Sequence, residues 1–199
     1  MNINVIDFLQ QRQSTPVLTE PAPSNDDLNK ILAAGMRVPD HAGLKPWHFT
    51  VITESGLQRL SDLFVEAITN EALSTGDIST TGTCTPEFEA KKVKTSKMPF
   101  RAPLIIVIAT SKQTHEKVPM LEQQITAGCC AHAMQMAASS LGYGAMWRTG
   151  TLAYDSTVKA GLNVSDKDDI VGFLYIGTPC REHGIKPSKS MEGHVTYWK

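Results

Sequence analysis

The sequence predicts a mixed α/β sandwich, in which a few strands form a sheet with helices on both of its faces. Residues 103–110 and 170–177 are continuous apolar runs rich in β-branched side chains, a pattern typical of strands buried on both faces. Residues 47–53 alternate in the manner of a further strand. The segments between these runs carry apolar side chains at helical spacing, so we expect helices to cover the sheet.

Three helices are predicted in the first half of the chain. Residues 2–12 have apolar side chains at helical spacing. A connector with several prolines then leads to Ser24, which is suited to cap a second helix that Pro39 terminates. Residues 56–73 carry the apolar stripe of a third helix. The alternating strand therefore lies between the second and third helices in the sequence.

The second half predicts helices of two different kinds. Residues 87–97 form a charged helix without a good apolar face, which we expect at the surface. Residues 122–141 form a long helix with small side chains on all sides, so neighbouring backbones can approach it closely and we expect it at the centre. Residues 145–148 predict a short strand and residues 156–162 a short helix, while residues 195–198 near the end are strand-like.

The whole chain, residues 1–199, is predicted to form a single domain. Residues 74–86 are rich in Ser, Thr and Gly, which is typical of a flexible loop or of a lid that orders when a ligand binds. Together with the charged helix that follows, this gives a candidate lid over residues 74–97.

Composition excludes several classes of function. The 19 Lys and Arg residues nearly balance the 20 Asp and Glu residues, for a net charge of −1, which argues against binding to nucleic acid or to a membrane surface. No apolar run is long enough to span a membrane, and the first residues do not resemble a signal peptide. The 4 cysteines show no disulfide framework, so we expect reduced thiols in a cytoplasmic protein.

The familiar catalytic motifs are missing from the chain. It has neither a phosphate-binding loop of the Walker type nor the nucleophile elbow of the α/β-hydrolases. Cys129 and His132 stand three residues apart on the predicted long helix, but two ligands are too few for a metal site. We therefore predict no bound metal.

Three polar segments remain as candidate binding sites, each with a plain structural alternative. The first ends the first helix and suits a phosphate or a ribityl chain, or is a solvated helix end. The second, which closes the second helix, suits an anionic ligand or is a polar turn. The third ends the short strand, where Trp and Arg would both be awkward in a core. In this order, the three segments are Arg12, Gln13 and Ser14; residues 37–41 with residues 45–47; and Trp147, Arg148, Thr149 and Gly150.

Taken together, these segments resemble the nitroreductase family of flavin enzymes, and within it the compact bacterial NAD(P)H nitroreductases. The matching stretches follow one another in order over nearly the whole chain, whereas residues 71–97 match least, as a lid would. The stretches are residues 12–14, 20–23, 34–41, 46–49, 99–103, 127–129, 134–138, 144–150 and 171–179.

The resemblance implies an α+β fold, a three-layer α/β/α sandwich around a mixed, mainly antiparallel sheet. It also implies an obligate homodimer with two FMN sites at the interface. In this family the C-terminal arm, here residues 180–199, crosses to the other subunit and extends its sheet.

The resemblance further implies the residues that hold each cofactor. Contacts to the FMN phosphate and ribityl chain fall to Arg12, Gln13 and Ser14, with Arg37 and His41 reaching the same FMN from the partner chain. Trp147, Arg148 and Thr149 border the isoalloxazine ring. The NAD(P) contacts fall on Ala137, Ala138, Ser139, Ser140, Leu141 and Gly142.

Two departures from the family pattern affect the flavin site. Gln13 stands where the family usually has a second Arg, which predicts a weaker hold on the phosphate. Pro16 and residues 41–44 replace a Lys and an Asn of larger relatives. The group that stabilises the flavin pyrimidine is thus left open, with Lys45 as one candidate.

The implied activity is a two-step, ping-pong hydride transfer. NAD(P)H reduces flavin N5 and leaves, and a nitroaromatic, quinone or similar electron-poor acceptor takes its place. No catalytic side chain is required, because the cofactor carries the chemistry. Two alternatives stay open: a flavin-binding, redox-sensing dimer with little turnover, and an α/β scaffold without flavin.

Overall fold

The computed structural model describes residues 4–75, 84–181 and 184–199. Every helix and strand predicted before residue 180 is present, and the structure adds two short elements, β1 and α6. In chain order the elements are α1 (Val5–Gln10), β1 (Leu18–Thr19), α2 (Asn25–Gly35), β2 (Trp47–Thr53), α3 (Ser55–Thr75), α4 (Pro86–Ser96), β3 (Leu104–Thr110), α5 (Met120–Ser140), β4 (Gly144–Arg148), α6 (Thr151–Tyr154), α7 (Ser156–Gly161) and β5 (Ile170–Pro179).

The strands form a five-stranded sheet in which every pairing among the described residues is antiparallel. β3 lies between β2 and β5, and β5 also pairs with β4 and, at its end, with β1. All seven residues of β3 are buried, which confirms the prediction from the apolar run. β4 therefore lies on the opposite side of β5 from β3.

The two faces of β3 contribute to two separate cores. Ile105 and Val107 pack with α3 and α7 in one core, which includes the buried Phe64. Ile106 and Ile108 pack in the other core with α2 and α5, which includes Met134. Helices thus cover both faces of the sheet, and the three-layer α/β/α sandwich is confirmed.

The long helix of small residues, α5, ends in a way that fixes where β4 begins. Gly142 adopts a left-handed φ of 89°, which glycine tolerates best. The Tyr143 N–H donates to the Ala138 carbonyl at 3.0 Å, and the Gly142 N–H donates to the Ser139 carbonyl at 3.1 Å. These two hydrogen bonds close the helix, and the chain turns directly into β4.

The charged helix α4 is more firmly packed than its sequence predicts. Phe88 is buried against Ile68 and Ala72 of α3, and the Ser61 hydroxyl donates to the Ser96 carbonyl at 2.8 Å. A single aromatic side chain thus anchors a helix that has no continuous apolar face. Of the candidate lid over residues 74–97, residues 76–83 lie outside the described part of the chain, and the lid stays a prediction.

In the described part of the C-terminal tail, the hydrogen bonds to the body of this chain come from its first residues. Gln11 exchanges two hydrogen bonds with the backbone of Lys186. Further on, residues 195–198 form no strand within this chain, and Tyr197 and Trp198 are 73% and 96% exposed. The predicted crossing of residues 180–199 to a second subunit stays a prediction.

Candidate functional site

β4 brings two of the three predicted binding segments together. The carbonyl of Ala145 accepts hydrogen bonds from the Thr15 N–H at 3.0 Å and from Gln135 Nε2 at 3.3 Å. Gln135 is a buried residue of α5. The Ala145 carbonyl therefore joins the connector after α1, the strand β4 and the helix α5 through hydrogen bonds. The segment 12–14 therefore lies beside the strand that ends in Trp147, Arg148 and Thr149.

The segment 12–14 presents polar groups that are available to a ligand. Arg12 Nη1 donates to the Ser14 hydroxyl at 3.4 Å, and Gln13 Nε2 donates to the Gly184 carbonyl at 3.3 Å. Within the described residues Arg12 forms no salt bridge. A guanidinium beside a hydroxyl, without a carboxylate partner, is suited to bind a phosphate.

Arg148 is the most unusual side chain of the site. Its Nη2 donates to the Pro16 carbonyl at 2.9 Å, and its Cζ lies 5.2 Å from the centre of the Tyr175 ring. Its Nε is buried without a hydrogen-bond partner in the described structure. Burial, and then the charge of Arg101, lower the pKa of Arg148. A buried donor without an acceptor is costly, so this nitrogen is suited to donate to a bound ligand.

Trp147 faces the opposite side of the sheet from Arg148, as successive residues of a strand must. Its indole Nε1 donates to the Val171 carbonyl at 3.3 Å. It lines an open cleft of about 590 Å³ together with Arg37, Gly128 and His132. Part of the second predicted segment thus reaches the third through this cleft. Thr149 follows at the exposed end of the strand.

His41 lies beside the first turn of α5, which contains Glu122. Its Nδ1 lies 2.8 Å from Glu122 Oε2, and both side chains are about half exposed. In the described residues no hydrogen bond joins Arg37 or His41 to residues 12–14 or 147–149. The predicted contact of Arg37 and His41 with a flavin bound mainly by a second chain stays a prediction.

The predicted NAD(P) segment occupies the C-terminal end of α5 and the turn after it. Ala138 is fully buried, while Ser139 and Ser140 donate their hydroxyls to the carbonyls of Gln135 and Ala137. The C-terminal end of a helix carries partial negative charge, which is unfavourable for a diphosphate. The cavity beside Arg12 and Gln13 includes Ser139. The assignment stays a prediction, which the local charge does not favour.

Arg101 is a residue of the site that the sequence pattern does not single out. It ends the short helical turn Pro99–Arg101 and lines a cavity of about 310 Å³ together with Arg148 and Tyr175. Arg101 belongs to one of the matching stretches, residues 99–103, but a lone arginine between two prolines gives no indication of which strand it will face. Only the fold shows that two arginines converge here.

Two further classes of site are absent from the described parts of the chain. No cluster of three or more His, Cys, Asp or Glu residues there is arranged to hold a metal ion. Among the same residues, no helix has the length and apolar character that crossing a membrane requires.

The fold and the site define an α+β protein with a cationic, phosphate-suited segment beside a strand that ends in an open cleft. A model of the nitroreductase family matches residues 9–178. In Escherichia coli (strain K12), the protein named "Putative NAD(P)H nitroreductase YdjA" is 39% identical over 178 residues, which is 89% of each chain. The chain therefore belongs to the nitroreductase family.

Solved structures share the fold over the full length of the chain. A nitroreductase-like family protein from Bacillus cereus superposes with a TM-score of 0.81 at 20% identity, covering 100% of this chain and 98% of that one. A nitroreductase with bound FMN from Bacteroides fragilis NCTC 9343 has a TM-score of 0.73 at 20% identity and covers 100% of both chains. These likenesses show that the fold is that of the nitroreductases.

Proposed function

We propose that this chain is a cytoplasmic, homodimeric, FMN-dependent oxidoreductase that uses NAD(P)H to reduce electron-poor small molecules such as nitroaromatics and quinones. The observation that carries the proposal is the buried Nε of Arg148, which has no hydrogen-bond partner among the described residues. It belongs to the strand that lies beside Arg12 and Ser14, in a chain of the nitroreductase family. A bound nucleotide-like cofactor would accept the hydrogen bond that this Nε–H can donate, and its phosphate would suit the segment of Arg12 and Ser14.

The residues present fit FMN. Arg12 and Ser14, with Gln13 beside them, would hold the phosphate and the ribityl chain. Trp147, Arg148 and Thr149 would border the ring system, with Arg148 Nε donating to it. When bound, FMN supplies the acceptor and donor of hydride between NAD(P)H and the substrate. The protein itself then needs no catalytic acid or base.

The role left to the protein is placement of charge and exclusion of water. Arg148 is a cation in a half-buried position, held by the Pro16 carbonyl and by the Tyr175 ring. A cation fixed in advance stabilises negative charge that develops beside it, and it does so more strongly where water is excluded. Since Pro16 has replaced the Lys of larger relatives, Arg148 is a second candidate, besides Lys45, for the group that serves the pyrimidine side.

Support for the homodimer comes from apolar side chains that this chain leaves exposed. α1 buries none of its residues, and the first half of α5 exposes a second apolar group. Apolar surface of this kind usually marks an interface. The exposed residues are Val5, Ile6 and Leu9 on α1, and Met120, Leu121 and Ile125 on α5.

The edges of the sheet indicate where an exchanged arm would pair. Residues 15 and 16 bond to Ala145 and Arg148 along β4, whereas β2 has a ladder only with β3 among the described strands. An unpaired edge readily accepts a further strand. We therefore place the tail of a second chain, residues 195–198, along β2.

Steady-state kinetics of the holoenzyme test the proposed activity. With NADPH and a nitroaromatic both varied, a two-step exchange gives parallel double-reciprocal lines. NADH in place of NADPH then establishes the preferred reductant. A flavin-containing protein that turns over neither pair would instead be the redox-sensing dimer.

Replacing Arg12 with alanine is expected to weaken FMN binding by about 1.5–3 kcal/mol, the usual worth of a hydrogen bond to a charged group. Titration of apo-protein with FMN measures the change, and Arg12→Lys is the control that keeps the charge. Equal affinity of Arg12→Ala and wild-type protein would place the phosphate elsewhere, for example near Arg181 or Lys186.

Limited proteolysis tests the lid. We expect a nonspecific protease to cut preferentially within residues 74–86, and more slowly once FMN and an acceptor analogue are bound. Cleavage that is the same with and without ligands would show that residues 74–97 do not act as a lid.

A further inference from the structure

The cavity of about 310 Å³ on the α3 side of the sheet has walls of two kinds. Phe64 and Phe173 are almost completely buried and meet edge to face, with ring centres 5.3 Å apart. Met98 and Leu152 extend this apolar wall. We call this space the arginine pocket, because its charged lining residues in the described structure are Arg101 and Arg148. Its volume is at the lower end of the range for small-ligand sites.

The positive charge of the arginine pocket is not balanced by a neighbouring acid. Neither arginine takes part in a salt bridge within the described residues. Burial raises the pKa of Tyr175 to about 12, so its phenol stays neutral near pH 7 and supplies no counter-charge. The charge of Arg101 contributes to the lowered pKa of Arg148, which shows that the two cations interact.

An apolar lining combined with two arginines selects for a particular ligand chemistry. A guanidinium binds a carboxylate through two parallel hydrogen bonds, and the aromatic and aliphatic wall suits a planar ring. A free phosphate would leave the apolar wall without a partner. Residues 146–149 also line the pocket, so a ligand here would lie against the strand assigned to the flavin ring.

We propose that the arginine pocket binds an aromatic carboxylate, with Arg101 holding the carboxylate group, and that the enzyme's preferred acceptors are therefore anionic aromatics. The proposal rests on the proposed function, because the bound molecule is the electron acceptor. Arg101 is then the residue that determines acceptor specificity.

Binding of benzoate and of benzamide to the holoenzyme tests the proposal without turnover. The two probes have the same ring and differ in charge. We expect benzoate to bind at least tenfold more tightly than benzamide, as followed by the flavin absorption spectrum and by calorimetry. Arg101→Gln should weaken benzoate binding about ten- to hundredfold and leave benzamide unchanged, while Arg101→Lys retains part of the benzoate affinity.

Turnover gives a second comparison. For 4-nitrobenzoate against 4-nitrobenzyl alcohol, Arg101→Gln should lower the ratio of kcat/KM values about tenfold or more. A thermal melt of each variant shows that it is folded. Equal binding of the two probes by the wild-type enzyme would overturn the proposal. So would a loss of FMN affinity in Arg101→Gln apo-protein with benzoate discrimination intact, because the pocket would then belong to the cofactor.

Failure of the proposed function gives a different result. A colourless protein that takes up no FMN, yet binds benzoate in an Arg101-dependent manner by calorimetry, would refute the flavin enzyme and, with it, the role of the ligand as acceptor. A yellow, NADPH-reducible protein that does not distinguish benzoate from benzamide would refute the arginine pocket alone.

Discussion

Replacement of Gly172 by alanine is expected to destabilise the protein by about 3 kcal/mol, the upper end of the usual cost of overpacking. A Cβ on Gly172 would overlap the Trp147 indole and lie 2.8 Å from the Arg148 carbonyl oxygen. Because one of these neighbours is backbone, rotation of a side chain cannot relieve the overlap. The end of β4 must move, and we expect FMN affinity to fall at least tenfold with it.

A thermal melt and an FMN titration of the apo-protein measure the two effects. For a chain of this size the expected loss corresponds to a decrease in Tm of about 6–12 °C. Gly128→Ala is the matched control, because its Cβ would approach the same tryptophan at an ordinary 3.6 Å and would favour the helix. A Gly172→Ala protein as stable as Gly128→Ala would contradict the packing described for Trp147.

Deletion of residues 194–199 is expected to weaken the dimer about 100-fold or more and to lower flavin occupancy. The segment contains Tyr197 and Trp198, which are both exposed in the single chain. Burial of each ring contributes about 4 kcal/mol by area, from which the cost of ordering the tail is subtracted. Because FMN bound only to the dimer stabilises the dimer, both quantities should fall together.

Analytical ultracentrifugation, with absorbance followed at the flavin band, measures assembly and occupancy at once. Deletion of Lys199 alone is the control, since it removes charge but neither aromatic ring. A yellow monomer would refute the shared site. A truncated dimer that keeps its flavin as tightly as the full chain would refute the role of the tail.

The elements of the fold were predictable where the hydrophobic pattern is strong. The buried run of β3 and the small-residue helix α5 were both predicted within a few residues of their bounds. β1 was missed because it has two residues inside a proline-rich connector, which is too short to show a period. The packing of α4 could not be predicted because it depends on two buried side chains, Phe88 and Thr95, and not on a repeated apolar pattern.

The candidate site was predictable in its parts but not in its assembly. Arg12, Ser14 and Trp147 could be singled out by residue type and by resemblance. Their proximity depends on hydrogen bonds between residues distant in sequence, from Thr15 to Ala145 and from Arg148 to Pro16, and no local pattern predicts such bonds. Arg101 was missed for the same reason, because its partner Arg148 comes from another element.

The opposite directions of Trp147 and Arg148 could have been predicted. They are neighbours on a predicted strand, and side chains alternate between the faces of a sheet. The resemblance implies that both border one ring system, and that assignment stays a prediction. In the structure both residues line the arginine pocket, and Trp147 also lines the open cleft that contains Arg37.

The visible spectrum of the purified protein under anaerobic conditions tests the central claim most directly. We predict a yellow protein whose flavin absorption is bleached by one equivalent of NADPH or NADH and restored by a nitroaromatic in stoichiometric amount. A colourless protein that takes up no added FMN, or a bound flavin that neither nicotinamide cofactor reduces, would contradict the account.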